Sequence, residues 1–225
     1  MRTLFDGRDP KAVLFDLDGT LVDSVPDLAQ AVDRMLVELG RAEAGEARVR
    51  QWVGNGAQLL VKRALCGQLS LDGVAEDAQF DRAYRLFLQF YGEHTSGFST
   101  LYPGVLDCLD GLRQRGIALA VVTNKPMRFT EPMLAGFGLS DYFQCVLGGD
   151  SLSVKKPDPA PLLQAMRQLG SGPADTLMVG DSVNDLRAAR AAGCPVACVP
   201  YGYNHGEPIA VSKPDLLVER LDQLL

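Results

Sequence analysis

The sequence predicts an α/β fold: a doubly wound, Rossmann-like parallel sheet that carries an inserted small α-helical cap domain. Three observations carry this expectation. Short apolar runs recur along the chain, each the length of a buried strand. Helical patterns lie between them and stop at glycine. One long stretch breaks the alternation and reads as helix alone.

The runs Ala12–Phe15, Ile117–Val122, Cys145–Leu147, Thr176–Val179 and Pro195–Val199 have the continuous apolar character of parallel strands buried on both faces. Val105–Arg115, Pro161–Leu169 and Asn184–Ala192 have helical spacing and end at Gly116, Gly170 and Gly193. Glycine is the expected stop because it accepts the left-handed conformation that follows a helix end. Alternation of the two kinds of element implies parallel strands joined by helical crossovers. From Pro26 to Gly97 the rhythm is lost. Asp27–Leu39, Val49–Val53, Gln58–Leu65 and Ala78–Tyr91 read as helices, with Asp27 a candidate cap for the first. The expected organisation is a discontinuous core, residues 1–25 and 98–225, with residues 26–97 as the helical cap domain.

The 225 residues are 47% hydrophobic and 22% charged, with a formal net charge of −6. These values suit a globular chain. An acidic balance with no Lys/Arg block argues against nucleic acid as a partner, because binding a phosphate backbone takes a basic face. No stretch has the length of a membrane span, and Met1–Pro10 lacks the apolar core of a signal peptide. Cys66, Cys108, Cys145, Cys194 and Cys198 are scattered, which suits reduced thiols in a cytoplasmic protein. Zinc is not expected, since neither His94 nor His205 has ligand spacing to them. His94 reads as a surface residue of the insert.

The chemistry gathers where strands end. In open α/β sheets ligands bind at the carboxyl ends of the strands. The first strand runs into D-L-D-G-T-L, with Asp16 and Asp18 two residues apart and so on one side of an extended chain. Like charges held so close call for a cation, and hard oxygen ligands favour magnesium or calcium. Gly19 allows a sharp turn and the approach of backbone amides to an anion. The second strand ends in Thr123, Asn124 and Lys125. The third leads to Lys155 and Lys156 before Pro157, and the fourth to Asp181 and Asp185.

These tracts resemble the haloacid dehalogenase superfamily of aspartate-nucleophile phosphatases. F-D-L-D-G-T-L-V-D-S, W-V-G-N-G-A, T-N-K-P, G-G-D, K-K-P-D-P-A-P-L, V-G-D-S-V-N-D and Y-G-Y-N-H-G look most like its bacterial phosphoglycolate phosphatases. The likeness covers nearly the whole chain, and the helical insert is similar to the superfamily's mobile cap. It implies a magnesium-dependent phosphatase that hydrolyses 2-phosphoglycolate through an aspartyl-phosphate. Asp16 would be the nucleophile, and Asp18 the acid and then the base. Thr123, Asn124 and Gly19 would bind the phosphoryl group. Lys156, rather than Lys155, would offset its charge. Asp16, Asp181 and the backbone carbonyl of Asp18 would hold Mg2+. Asp185 would orient Lys156 or hold a water of the metal, and Ser182 would cap the helix that carries it.

Within the insert, Gly54-Asn55-Gly56 interrupts a helical pattern, and Asn55 is a candidate substrate contact. Arg48, Arg50, Lys62 and Arg63 are possible anion partners, Trp52 reads as packing, and Tyr201–Gly206 has no chemical role apparent from its residues. The expected partner is a small phosphorylated metabolite, with the chain a monomer or homodimer. Other readings remain open: a phosphatase or phosphomutase for another small ester, or a phosphate- or metal-binding module. A dinucleotide enzyme is disfavoured, because no G-x-G-x-x-G follows the first strand. Asp18 weighs against dehalogenase and phosphonatase chemistry.

Overall fold

The computed structural model describes residues 1–70, 77–93 and 95–225; His94 lies outside the described residues. A parallel sheet forms the centre. Its strands are β1 (Ala12–Phe15), β4 (Ala118–Val122), β5 (Cys145–Leu147), β6 (Thr176–Gly180), β7 (Val196–Cys198) and β8 (Leu216–Leu217), in the spatial order β5-β4-β1-β6-β7-β8. β1 pairs in register with both β4 and β6, Phe15 lying opposite Val121 and Val179. β1 is fully buried, as its unbroken A-V-L-F predicts for a strand covered on both faces.

The period-two rule assigns each strand residue to a face. Val13, Phe15, Leu119, Val121, Leu177 and Val179 share one cluster with Val105, Cys108, Leu109 and Leu112, the apolar stripe of α5 (Val105–Gln114). Leu14, Ala120, Val122, Met178, Val196 and Cys198 share the opposite cluster. That face is covered by α7 (Ala160–Gln168) and α8 (Val183–Ala192). Two helix-covered faces make the sheet doubly wound. All five cysteines are free thiols, and only Cys66 is not buried. No helix among the described residues is long and apolar enough to cross a membrane.

Helices α1 (Val25–Glu38), α2 (Glu46–Trp52), α3 (Ala57–Cys66) and α4 (Ala78–Glu93) follow the first strand. They bury Val32, Met35, Trp52, Val61, Phe87 and Tyr91 in a third cluster, which also takes in Phe129 and Tyr203 from the sheet-bearing part. Trp52 packs, as expected. The chain leaves and re-enters the sheet-bearing part through a two-rung antiparallel pair, β2 (Val22–Asp23) with β3 (Thr100–Leu101).

Three features differ from the expectation. Asp27 does not cap α1. Ser24 holds the N-cap position, and the buried Asp27 carboxylate instead accepts from the backbone N–H groups of Phe98 and Ser99 and from the Ser99 hydroxyl. Asp27 thereby ties the start of the helical segment to its end. An extra helix, α6 (Met127–Gly136), follows β4 with Pro132 inside it. Proline reads as a helix breaker, yet Phe129 and Met133 bury one face at helical spacing. Strands β2, β3 and β8, of two residues each, are too short to show a period in sequence. Asp27→Ala should lower folding stability by about 1–3 kcal/mol by leaving those donors unmet. The urea midpoint measures this, and an unchanged midpoint would remove Asp27 as a tie.

Candidate active site

The residues named from strand ends converge at the carboxyl edge of β1, β4 and β6. Asp16 follows β1 directly and Asp181 follows β6, so pairing of the two strands brings the carboxylates together. Asp185 lies one turn along, in the first turn of α8. Oxygens of Asp16, Asp181 and Asp185 lie within 4.8 Å of one another. Lys156 Nζ stands 3.1 Å from Asp16 and 2.6 Å from Asp185, itself fully buried.

The local causes are legible. Ser182 is the N-cap of α8 and forms a reciprocal capping box with Asp185. Asp185 Oδ2 accepts from the Ser182 hydroxyl at 2.7 Å, while Oδ1 takes Lys156. Asp185 is thus a structural anion that aims the lysine. Asp181 is fixed through both oxygens. The Thr20 hydroxyl donates to Oδ1 at 2.8 Å, and the Tyr203 backbone N–H donates to Oδ2 at 2.5 Å. Gly19 has φ of +86°, and a Cβ there would run into Asp181. Gly202 is confined in the same way: a Cβ would collide with the Asp181 carboxylate. The tract 201–206, without apparent role in the sequence, therefore shapes the Asp181 site through an amide and a missing side chain.

The electrostatics follow from burial. Burial, the largest influence, pushes the Asp16 carboxyl up to about 6, with Lys156 pulling it down and Asp185 pushing it up. Asp181 is raised well above the ordinary carboxylate range by burial and by its two acidic neighbours. Burial disfavours the Lys156 ammonium, but Asp16 and Asp185 outweigh it and raise its pKa. Three carboxylates and one ammonium leave two negative charges, the charge of one divalent cation. Asp16 and Asp181 supply hard oxygen donors on one side, as such an ion needs. The donor set therefore fits. The Asp18 side chain lies outside this cluster and pairs instead with Lys125, Nζ to Oδ1 3.0 Å.

A cavity of about 50 Å³ opens beside these groups. Asp16, Asp18, Thr123, Asn124 and Lys125 line one side, and Gly54, Gly56, Leu60, Phe87 and Tyr91 the other. Thr123 Oγ1 accepts the Lys125 backbone N–H at 3.2 Å, which leaves its hydroxyl proton for a ligand. The Asn124 side-chain amide nitrogen donates to the Lys156 carbonyl at 3.0 Å. Lys125, undecided in the sequence, faces the cavity. Its ammonium meets both Asp18 and the Tyr91 hydroxyl, and these outweigh burial to raise its pKa.

Asn55 is placed differently from the expectation. Its Oδ1 accepts from Arg63 at 2.8 Å, and the cavity is lined by the glycines on either side of it. Arg63 is buried and spends its other donors on the carbonyls of Trp52 and Leu69, so it braces the loop. Arg50 pairs with Asp23 and Glu46. Neither faces the cavity.

Two outcomes follow. A carboxyl with a raised folded-state pKa stabilises the fold while protonated and loses that contribution as pH rises through the raised value. A divalent cation competes for the same oxygens. The rise in thermal midpoint on adding magnesium should thus be small near about pH 4 and grow as pH passes about 6. A rise that is constant with pH would contradict this assignment of the charges. Gly202→Ala should weaken magnesium binding by about 10–100-fold, read by calorimetric titration of folded protein; unchanged affinity would show that Asp181 is not held by this loop.

Residues 10–193 match the family model of haloacid dehalogenase-like hydrolases. Phosphoglycolate phosphatase 1 of Pseudomonas aeruginosa is 50% identical over 221 residues, covering 98% of this chain and 80% of that protein. Phosphoglycolate phosphatase of Nitrosococcus oceani is 46% identical and covers 96% of each. A crystal structure of a predicted phosphoglycolate phosphatase from Haemophilus somnus superposes with a TM-score of 0.88 at 42% identity, over 95% of this chain and 96% of that one. The strand-end carboxylates, the buried lysine and this full-length likeness place the chain in the haloacid dehalogenase-like hydrolase family.

Proposed function

We propose that this protein is a magnesium-dependent phosphatase that hydrolyses 2-phosphoglycolate to glycolate and phosphate. The observation that carries the reading is Lys156 Nζ at 3.1 Å from Asp16 and 2.6 Å from Asp185, beside Asp181 and at the ligand-binding edge of the sheet. The substrate assignment draws on relatives with about half their residues in common, named for phosphoglycolate. The small cavity agrees with it, since a site of about 50 Å³ suits a compact ester.

Asp16 attacks phosphorus. An O–P bond forms to its carboxylate as the bond to the ester oxygen breaks. Lys156 and the Thr123 hydroxyl offset the charge on the phosphoryl oxygens. Asp18 gives its proton to the departing alkoxide, then takes one from the water that attacks the aspartyl-phosphate. That second attack frees phosphate and restores Asp16. Lys125 Nζ holds the Asp18 carboxyl at 3.0 Å, which keeps that side chain turned to the cavity where the leaving oxygen would sit. Asp16, Asp181 and the Asp18 backbone carbonyl would hold magnesium, which neutralises phosphoryl charge and fixes the group for in-line attack. Asp185 keeps Lys156 aimed at the nucleophile.

Residues 26–97 act as the cap over residues 1–25 and 98–225. Leu60, Phe87 and Tyr91 close the apolar side of the cavity, which excludes water from the reacting carboxylate. Free buried thiols fit a reducing, cytoplasmic setting.

The test is phosphate release from 2-phosphoglycolate and from a panel of other small phosphate esters, with magnesium and with chelator. Activity should be greatest on 2-phosphoglycolate, vanish with chelator and be absent in Asp16→Asn. Lys156→Ala should lower kcat by at least about 10²-fold. Equal rates across the panel would replace the substrate and keep the chemistry. No turnover of any ester by folded, metal-bound protein would overturn the phosphatase reading.

A further inference from the structure

The end of α2 and the loop that joins it to α3 lie over the cavity and offer backbone carbonyls to the core. Gln51 O lies 3.0 Å from His205 Nδ1. Gly54 O accepts from Asn184 Nδ2 at 3.1 Å, and Asn55 O accepts from Lys155 Nζ at 3.0 Å. A carbonyl only accepts, so His205 carries its proton on Nδ1. These donors come from three separate core segments, Asn184 from the first turn of α8 and the others from loops, and each sits beside a residue of the site. Lys155 precedes Lys156, Asn184 precedes Asp185, and His205 lies two residues after Tyr203, whose amide holds Asp181.

We propose that Lys155, Asn184 and His205 are positioning residues, a three-point clasp that seats residues 51–56, the end of α2 and the loop after it, over Asp16. The geometry favours a dedicated contact over incidental packing. Burial lowers the pKa of Lys155, and it has no carboxylate among its described partners, so its placement is accounted for by the carbonyl. Two of the accepted carbonyls flank or belong to the Gly54–Gly56 turn that lines the cavity. All three contacts are made to backbone, so the clasp works whatever side chains the loop presents to a ligand. The neighbouring Trp52 carbonyl is taken by Arg63 from within the helical segment, which keeps the loop rigid enough to be held at points.

The clasp rests on the phosphatase reading only for its effect on turnover. A binding-competent state that is less populated weakens apparent affinity in proportion. At saturation the substrate itself holds the loop closed. Lys155→Met keeps the apolar stem and removes the donor, and Lys155 and His205 are both only half-buried, so the variant Lys155→Met/His205→Ala should fold. Its KM for 2-phosphoglycolate should rise about tenfold with kcat within about twofold of wild type. Amide hydrogen exchange should quicken across residues 51–56 in the ligand-free protein, with no change in the strands. Asn184→Ala should act in the same direction.

Unchanged KM together with unchanged exchange would overturn the clasp. So would a fall in kcat at constant KM, which would assign these residues to the chemical step. Exchange is measured without substrate. If wild-type protein turned over no ester, the phosphatase reading would fall while the exchange result still decided the clasp.

Discussion

One buried ammonium holds the site together. Lys156 Nζ sits between Asp16 and Asp185, beside a third carboxylate on Asp181, where water is largely excluded. At these separations each ion pair carries a gross attraction on the order of 5 kcal/mol, much of it offset by the cost of burying the charges. Remove the lysine and three acids face one another with no counter-charge. Even with the lysine present, burial first and the acidic neighbours after it hold the Asp16 and Asp181 carboxyls above the ordinary range. A centre built this way is primed to accept a cation and a phosphoryl group as one assembly.

The fold delivers that centre by simple means. Parallel pairing of β1 with β6 sets Asp16 and Asp181 side by side. A capping box fixes Asp185 at the start of α8, so one carboxylate both begins a helix and holds the buried Lys156 ammonium. The interactions that stabilise the strand ends and the ones that aim the reactive groups are the same interactions. A substitution in this region therefore affects folding and chemistry together.

Much of this was legible in the sequence because the informative residues stand directly after strands. The apolar runs locate the main strands to within a residue or two, and the acids, Thr123 and Lys156 stand out as candidates by the strands that precede them. The adjacent side chains of Lys156 and Lys155 diverge, one to Asp16 and the other to Asn55 O. What stayed hidden acts without a chemical signature. Tyr203 contributes a backbone N–H, and Gly202 contributes empty space. The partnership of Asp18 with Lys125 spans 107 residues, and no local pattern announces it. Asn55, a polar residue between glycines, looks like a ligand contact, whereas in the structure its Oδ1 accepts from Arg63, one helix away. Pro132 concealed α6 by resembling a stop.

The short β2–β3 ladder has a wider consequence. Asp23 lies across from Thr100, so the chain departs from the sheet-bearing part and returns to it at a single doorway. For the sheet, everything between these two residues is a detour. The entropic cost of closing a detour grows only slowly with its length, so the sheet is nearly indifferent to what the detour contains. Such an arrangement is modular. The helical third of the molecule can be remodelled in size and sequence, while the strand-end carboxylates and the buried lysine stay as they are.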